Sequence, residues 1–260
     1  VSGANILGIH LEGPFINTEK HGAQDREYVQ SPNVSLIENY MQEVKMITLA
    51  PEVEGAEAFI KYLAKEYPHI ILSIGHSDAS FEESMESFAW GISHVTHLFN
   101  AMNPYHHRKP GIVGAVFDSE VTCDIIADLV HTHPSALELV QKVKKEKLIL
   151  ITDAMRAGCM KCGTYDLGGR KVEVEDGKAV LEDGTLAGSV LKMNGALLNM
   201  RKHTSMTLIE LVNSVTKVPA QKLSLKKGEL REGYDADIVI FDENFSIIST
   251  IIAGEVKYKG

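Results

Sequence analysis

Four apolar runs, each ending on a residue able to bind a metal or carry a proton, constrain this chain more than any other feature. They are ILGIHLEGP (Ile6–Pro14), IILSIGHS (Ile70–Ser77), SHVTHLFN (Ser93–Asn100) and LILITDA (Leu148–Ala154). Each reads as a buried strand followed by a turn. Parallel strands deliver their C-terminal ends to one face, so residues far apart in sequence can meet there. Glu12, His76, His97 and Asp153 hold equivalent places at those ends. Two imidazoles and a carboxylate suit a zinc-like divalent ion, and a further aspartate suits proton transfer. Any one of these residues alone is more often an ordinary solvated or core polar group. The equivalence of the four carries the reading.

Strand-like runs recur at Ile6–Leu11, Val44–Ala50, Ile70–Ile74, Val95–Phe99, Thr122–Leu129 and Leu148–Thr152. Helical patterns fall between them at Pro32–Met41, Ala56–Tyr67, Ser80–Trp90 and Ser135–Val143. This alternation favours an α/β fold with a parallel sheet. A closed (β/α)8 TIM-type barrel needs eight strands, so the expected architecture is such a barrel lacking its first strands. After Asp153 the pattern changes. Arg170–Glu175 alternates with period two, Asp176-Gly177 signals a hairpin turn, and Lys178–Leu181 returns. Helical pattern resumes over Val190–Lys202 and Thr207–Val215. Ala236–Phe241 and Phe245–Tyr258 read as strands of a small antiparallel layer. The expected division is a barrel over 1–225, with a β-hairpin insertion at about 166–185, and part of a small β domain over 226–260.

Composition narrows the partners. A formal net charge of -9 argues against nucleic acid, but leaves room for a small anionic substrate held by local positive groups. No apolar run approaches the length of a membrane span, so no membrane partner is expected. Three cysteines argue against a disulfide framework and fit a reducing cytoplasm. The chain opens on Val1 and leads straight into its first strand, so a shortened chain without a signal peptide is expected.

Further candidates flank the four runs. The turn Asn100-Ala101-Met102 offers backbone N–H groups to a phosphate. Arg108, within HHRKP, brings a guanidinium suited to bidentate phosphate contact. His131, nearer its strand end than His133, is placed to hold a substrate carbonyl. His10 and His94 are assigned to packing behind the site, and the isolated Cys159/Cys162 pair to a loop.

The segments GIHLEGPFIN, GHSDAS, THLFNAMNP, IIADLVHTHP, LITDAM and LAGSVLKMN, in this order, resemble the N-acetylglucosamine-6-phosphate deacetylases of the amidohydrolase superfamily. The resemblance runs from about Leu7 to the C-terminus. It implies hydrolysis of the acetamide of N-acetylglucosamine 6-phosphate to glucosamine 6-phosphate and acetate. It implies Glu12, His76 and His97 as ligands of one divalent ion per chain, zinc or iron, and Asp153 as the acid/base. It implies Asn100, Ala101, Arg108 and His131 as substrate contacts, Leu186 in a substrate-closing stretch, and a homodimer. The chain departs from the superfamily in having no His-x-His strand upstream of Ile6, and in lacking roughly the first third of the family pattern. Two other readings stand beside this one: a dihydroorotase-like hydrolase, and an inactive metal- or ligand-binding fragment.

Overall fold

The computed structural model describes residues 3–260; Val1 and Ser2, where the expected barrel region begins, lie outside the described residues. In chain order its main elements are β1 (Ile9–Glu12), β2 (Val44–Leu49), α1 (Ala56–Glu66), β3 (Ile71–Ile74), α2 (Phe81–Trp90), β4 (His94–Val95), α3 (Gly111–Phe117), β5 (Thr122–Ile126), α4 (Pro134–Lys144) and β6 (Leu148–Ile151). There follow β7 (Gly163–Leu167), β8 (Arg170–Glu175), β9 (Lys178–Leu181), α5 (Met193–His203), α6 (Leu208–Val215), α7 (Lys217–Lys222), β10 (Ile238–Phe241), β11 (Ile247–Ile252) and β12 (Glu255–Lys259).

The six apolar runs form one parallel sheet in sequence order, β1-β2-β3-β4-β5-β6. It is an incomplete barrel of parallel strands, open between the two edge strands β1 and β6. Strands of such a sheet are covered on both faces, which is why they read as nearly continuous apolar runs. On the outer side Ile47, Leu49, Leu72, Ile74, Val95, Ile125 and Leu150 share a core with Phe59, Ile60 and Leu63 of α1 and with Leu137 and Val140 of α4. Burying each such side chain contributes about 1.5–3 kcal/mol. The inner face instead carries a hydroxyl chain. His10 Nε2 lies 2.7 Å from Thr48 Oγ1, which lies 2.7 Å from Thr96 Oγ1, which lies 2.6 Å from Ser73 Oγ. The buried Thr48, Thr96 and Ser73 hydroxyls thus satisfy one another instead of competing with the core.

Local sequence sets the element ends. Ser80 with Glu83, and Thr207 with Glu210, form capping boxes at the starts of α2 and α6. Pro134 opens α4 behind the His133 cap. Two small antiparallel sheets follow the barrel: β7-β8-β9, with its own core of Met155, Val172, Leu181 and Ala187, and β10-β11-β12. Among the described residues no helix is long and apolar enough to cross a membrane.

Several expectations are corrected. Pro32–Met41 is not a helix but two short 3-10 turns, Val34–Leu36 and Glu38–Tyr40. The Asn33 side chain accepts from Ser35 N, and Ile37 leaves helical geometry with φ -125 and ψ -7. The strand expected over Val95–Phe99 is only His94–Val95, because His97 adopts φ 34 and the chain turns. The fifth strand stops at Ile126, since the Asp128 carboxylate takes the N–H groups of Val130 and His131. Phe245–Tyr258 splits into β11 and β12 at Ala253-Gly254, both at positive φ. The glycine-rich stretch after Pro110 is α3, and β7 joins the expected hairpin as a third strand.

Gly75, between β3 and His76, is a packing constraint. A Cβ there would lie 2.5 Å from Thr48 Cγ2 and 3.2 Å from Thr96 Cβ. Gly75→Ala should therefore lower unfolding free energy by about 1–3 kcal/mol. Chemical denaturation checks this; an unchanged midpoint would show that the hydroxyl chain yields freely.

Candidate metal centre and cleft

Three strand ends of the parallel sheet leave the β region at once. His76 has φ 50, His97 φ 34 and Asp153 φ 48, a left-handed conformation costly for residues with a Cβ. Such conformations persist only where the surroundings over-determine them. The surroundings here are specific. Asn17 N donates to His76 O at 2.9 Å. The buried Asp124 carboxylate of β5 accepts from His97 N and from His94 Nε2, the latter at 3.0 Å, while Asp124 O accepts from Leu98 N at 3.0 Å. Ser189 N donates to Asp153 O at 2.7 Å, and Ser189 Oγ donates to Thr152 O.

These turns bring Glu12, His76 and His97 together. Glu12 Oε1 lies 2.7 Å from His97 Nε2 and 3.2 Å from His76 Nε2, and the two ring nitrogens are 3.1 Å apart. Among the described residues this is the one group of three or more His, Cys, Asp or Glu side chains close enough to share an ion. The donor chemistry fits a cation. His76 Nδ1 faces the carbonyl of Lys20 at 2.8 Å, so the hydrogen-bond pattern assigns its proton to Nδ1. In the neutral ring Nε2 then points a lone pair at a carboxylate oxygen and at a second imidazole nitrogen. Such convergence is repulsive unless a positive charge lies between the donors. Tetrahedral coordination at zinc–ligand distances spaces donors roughly 3.3 Å apart, close to the spacing found.

The electrostatics agree. Burial alone would lower the His97 imidazole, but the Glu12 carboxylate outweighs it and raises His97 to about 9. Burial opposes ionisation of Glu12, yet the His76 and His97 rings that face its carboxylate hold it well below the usual carboxylate range. Asp153 goes the other way: burial, aided by the Glu12 charge, pushes it up to about 6.

The cluster opens into a cleft of about 910 Å³. Asp153, Asn100, Ala101, His131 and Leu186 line it together with Glu12, His76 and His97. His131 Nδ1 is held by Asp128 Oδ2 at 2.6 Å, which orients the ring. The Asn100 N–H is taken by His97 O at 2.9 Å, so Asn100 also fastens the turn that bears a candidate ligand. Arg108 is not brought to this cleft: its guanidinium lies 2.7 Å from His107 Nε2 in an exposed loop. His10 bonds Thr48, His94 bonds Asp124 and Thr122, and Cys159 and Cys162 are exposed free thiols. Lys20, ion-paired with Asp78 at 3.0 Å, and Leu167-Gly168 of the β7–β8 turn also line the cleft and went unread in sequence. Neither carries a periodic or motif signal; only the loop path places them.

Residues 2–257 match the model of the amidohydrolase family. The chain is 44% identical to the N-acetylglucosamine-6-phosphate deacetylase of Lysinibacillus sphaericus, over 98% of this chain and 67% of that protein. It is 42% identical to the Bacillus subtilis enzyme of the same name, over 98% of this chain and 66% of that protein. The chain belongs to the amidohydrolase family, among the N-acetylglucosamine-6-phosphate deacetylases. The crystal structure of the Thermotoga maritima deacetylase superposes with a TM-score of 0.92 at 39% identity, covering 98% of this chain and 70% of that one. A mutant of the Mycobacterium smegmatis deacetylase in complex with N-acetyl-D-glucosamine-6-phosphate superposes with a TM-score of 0.91 at 32% identity, covering 96% of this chain and 68% of that one. The chain thus spans about two thirds of the length of the curated relatives it matches.

Asp124 offers a test of how the turn at His97 is held. Asp124→Ala leaves the His97 N–H and the His94 ring without their acceptor, at a cost of about 1–3 kcal/mol for each buried group. Thermal or urea unfolding should show a loss of that order, and a change under about 0.5 kcal/mol would mean that water replaces the carboxylate freely.

Proposed function

We propose that the chain carries out metal-dependent hydrolysis of the acetamide of N-acetylglucosamine 6-phosphate, giving glucosamine 6-phosphate and acetate. The observation that carries this reading is the convergence of Glu12, His76 and His97 beside Asp153 in one cleft of a deacetylase-family fold. Glu12, His76 and His97 would hold one divalent ion per chain, zinc or iron, since imidazole and carboxylate suit both. When bound, the ion supplies Lewis acidity, polarising the amide carbonyl and acidifying water.

The chain's own residues do the rest. Asp153 takes a proton from the attacking water and returns it to the departing nitrogen. An amine leaves poorly unless protonated, so a single group that gains and loses a proton near neutrality serves both steps. Burial beside Glu12 gives Asp153 that character. His131, oriented by Asp128, is assigned to the substrate carbonyl region. Asn100 and Ala101 are assigned to the sugar phosphate, with the Lys20 ammonium adding positive charge to the cleft. Leu186 closes over the sugar, and Arg108 is assigned to the phosphate by family resemblance alone. Holding the phosphate away from the scissile bond fixes the acetamide against the reacting groups. Resemblance also supports a homodimer, and the sparse cysteines a cytoplasmic location.

Acetate release from the 6-phosphate by this chain, with added zinc and then with a chelator, tests the reading. Metal-dependent release is expected, and a folded, metal-loaded chain that releases none would make it a binding fragment. Asp153→Asn should keep the metal and lose roughly 10²- to 10⁴-fold in turnover. A variant near wild-type rate would remove Asp153 from the mechanism. Glu12→Gln should instead fail first in metal retention, read by metal analysis after dialysis.

A further inference from the structure

We infer that Glu52 is a positioning residue that holds His76 in the geometry needed to bind the ion, an inference that rests on the metal reading above. The other strands of the parallel sheet each end on a cleft-lining residue or lead to one within five residues: Glu12 at the end of β1, His76 after β3, His97 after β4, His131 after β5 and Asp153 after β6. β2, which lies between the strands bearing Glu12 and His76, runs through Ala50-Pro51 to Glu52, which does not line the cleft.

The Glu52 carboxylate binds the backbone around His76 instead. Oε1 accepts from Asp78 N at 2.6 Å and from Asn17 Nδ2 at 2.9 Å, and Oε2 accepts from Ser77 Oγ at 2.7 Å. These bonds join two segments that grip the ligand. Asn17 N donates to His76 O at 2.9 Å, Asn17 O accepts from Lys20 N at 2.9 Å, and Lys20 O accepts from His76 Nδ1 at 2.8 Å. The turn from Asn17 to Lys20 therefore holds His76 by its carbonyl and by its ring. Glu52 pins that turn to Ser77 and Asp78, the two residues following His76. An anionic acceptor strengthens such bonds, and a carboxylate offers two acceptor oxygens to the three donors of these two segments. The bonded ring nitrogen fixes the tautomer that leaves Nε2 free to ligate. The φ of 50 at His76 gives the clamp a reason to exist, because that conformation needs external support.

The test measures metal binding by the full chain. Zinc affinity comes from chelator competition, ligand geometry from the visible spectrum of the cobalt(II)-loaded protein, and folding from far-UV circular dichroism. Glu52→Ala should weaken zinc by about 10- to 100-fold and shift the cobalt bands while the fold persists. Glu52→Gln keeps one carbonyl oxygen for Asn17 and Asp78 and should recover most of the affinity. Asn17→Ala and Ser77→Ala should each lose a smaller factor, and that factor should vanish when Glu52 is already alanine. Wild-type zinc affinity with unchanged cobalt bands in Glu52→Ala overturns the inference and leaves the proposed function standing. Should Glu52→Ala not fold, wild-type affinity in both Asn17→Ala and Ser77→Ala overturns it equally. A wild-type chain that binds neither metal removes this inference and the metal reading together.

Discussion

The site depends on three residues made to turn left-handed at strand ends. A parallel sheet brings its C-terminal ends to one face, but an extended strand would carry the next side chain on past the sheet. At His76, His97 and Asp153 the backbone reverses instead, and the side chains enter the cleft. Each reversal costs of order 1–3 kcal/mol, and each is met by hydrogen bonds from a neighbouring segment: the Asn17 turn for His76, Asp124 for His97, Ser189 for Asp153. Much of the polar sequence around the strands is thereby explained. Asp124 and Ser189 are buried because they hold backbone that an all-apolar packing would release into ordinary strand or turn geometry.

That dependence also sets the electrostatics. Once the turns bring two imidazoles and a carboxylate within about a hydrogen-bond length of each other, their charges cannot be assigned independently. Glu12 stays ionised against burial because His76 and His97 face it, and His97 becomes a stronger base because Glu12 faces it. A divalent ion would take the place of the proton on His97, so metal binding and proton release are coupled. Asp153, close enough to feel Glu12 but without a hydrogen-bonding imidazole of its own, is pushed toward its neutral form. One carboxylate is thus kept charged and the other pushed toward its neutral form, a division set by neighbours and not by residue type.

The six strands were legible because strands covered on both faces are apolar nearly throughout, and Leu148–Ile151 or Ile71–Ile74 can hardly be anything else. The convergence of Glu12, His76 and His97 was legible because equivalent positions on parallel strands share a face. What pattern does not encode is where a strand stops. β4 is two residues long because His97 turns for Asp124, a contact across 27 residues of sequence that no local window contains. Pro32–Met41 has helical spacing but breaks at Ile37, whose φ of -125 and ψ of -7 leave helical geometry between two 3-10 turns. Lys20 and Glu52 stayed unread for the same reason: their importance lies in which loops they join.

An open sheet raises one further question: how Glu12 on edge strand β1 and Asp153 after edge strand β6 come to share a cleft. Curvature of the sheet brings the two edges toward each other, and the β7–β9 sheet adds a link above them. It grows from the segment after Asp153 and reaches across, so that Arg170 Nη1 donates to Ala23 O at 3.2 Å. Ala23, from the loop after β1, packs against the same small core as Tyr165 and Leu167. The cleft therefore has walls from both edges, Gly22, Ala23 and Gln24 on one side and Leu167, Gly168 and Leu186 on the other. This contact joins the two halves of the chemistry where the sheet itself does not. The hairpin that sequence marks only by alternation and an Asp-Gly turn thus acts as a brace, tying the segment after Asp153 to the loop after Glu12 across the open side of the sheet.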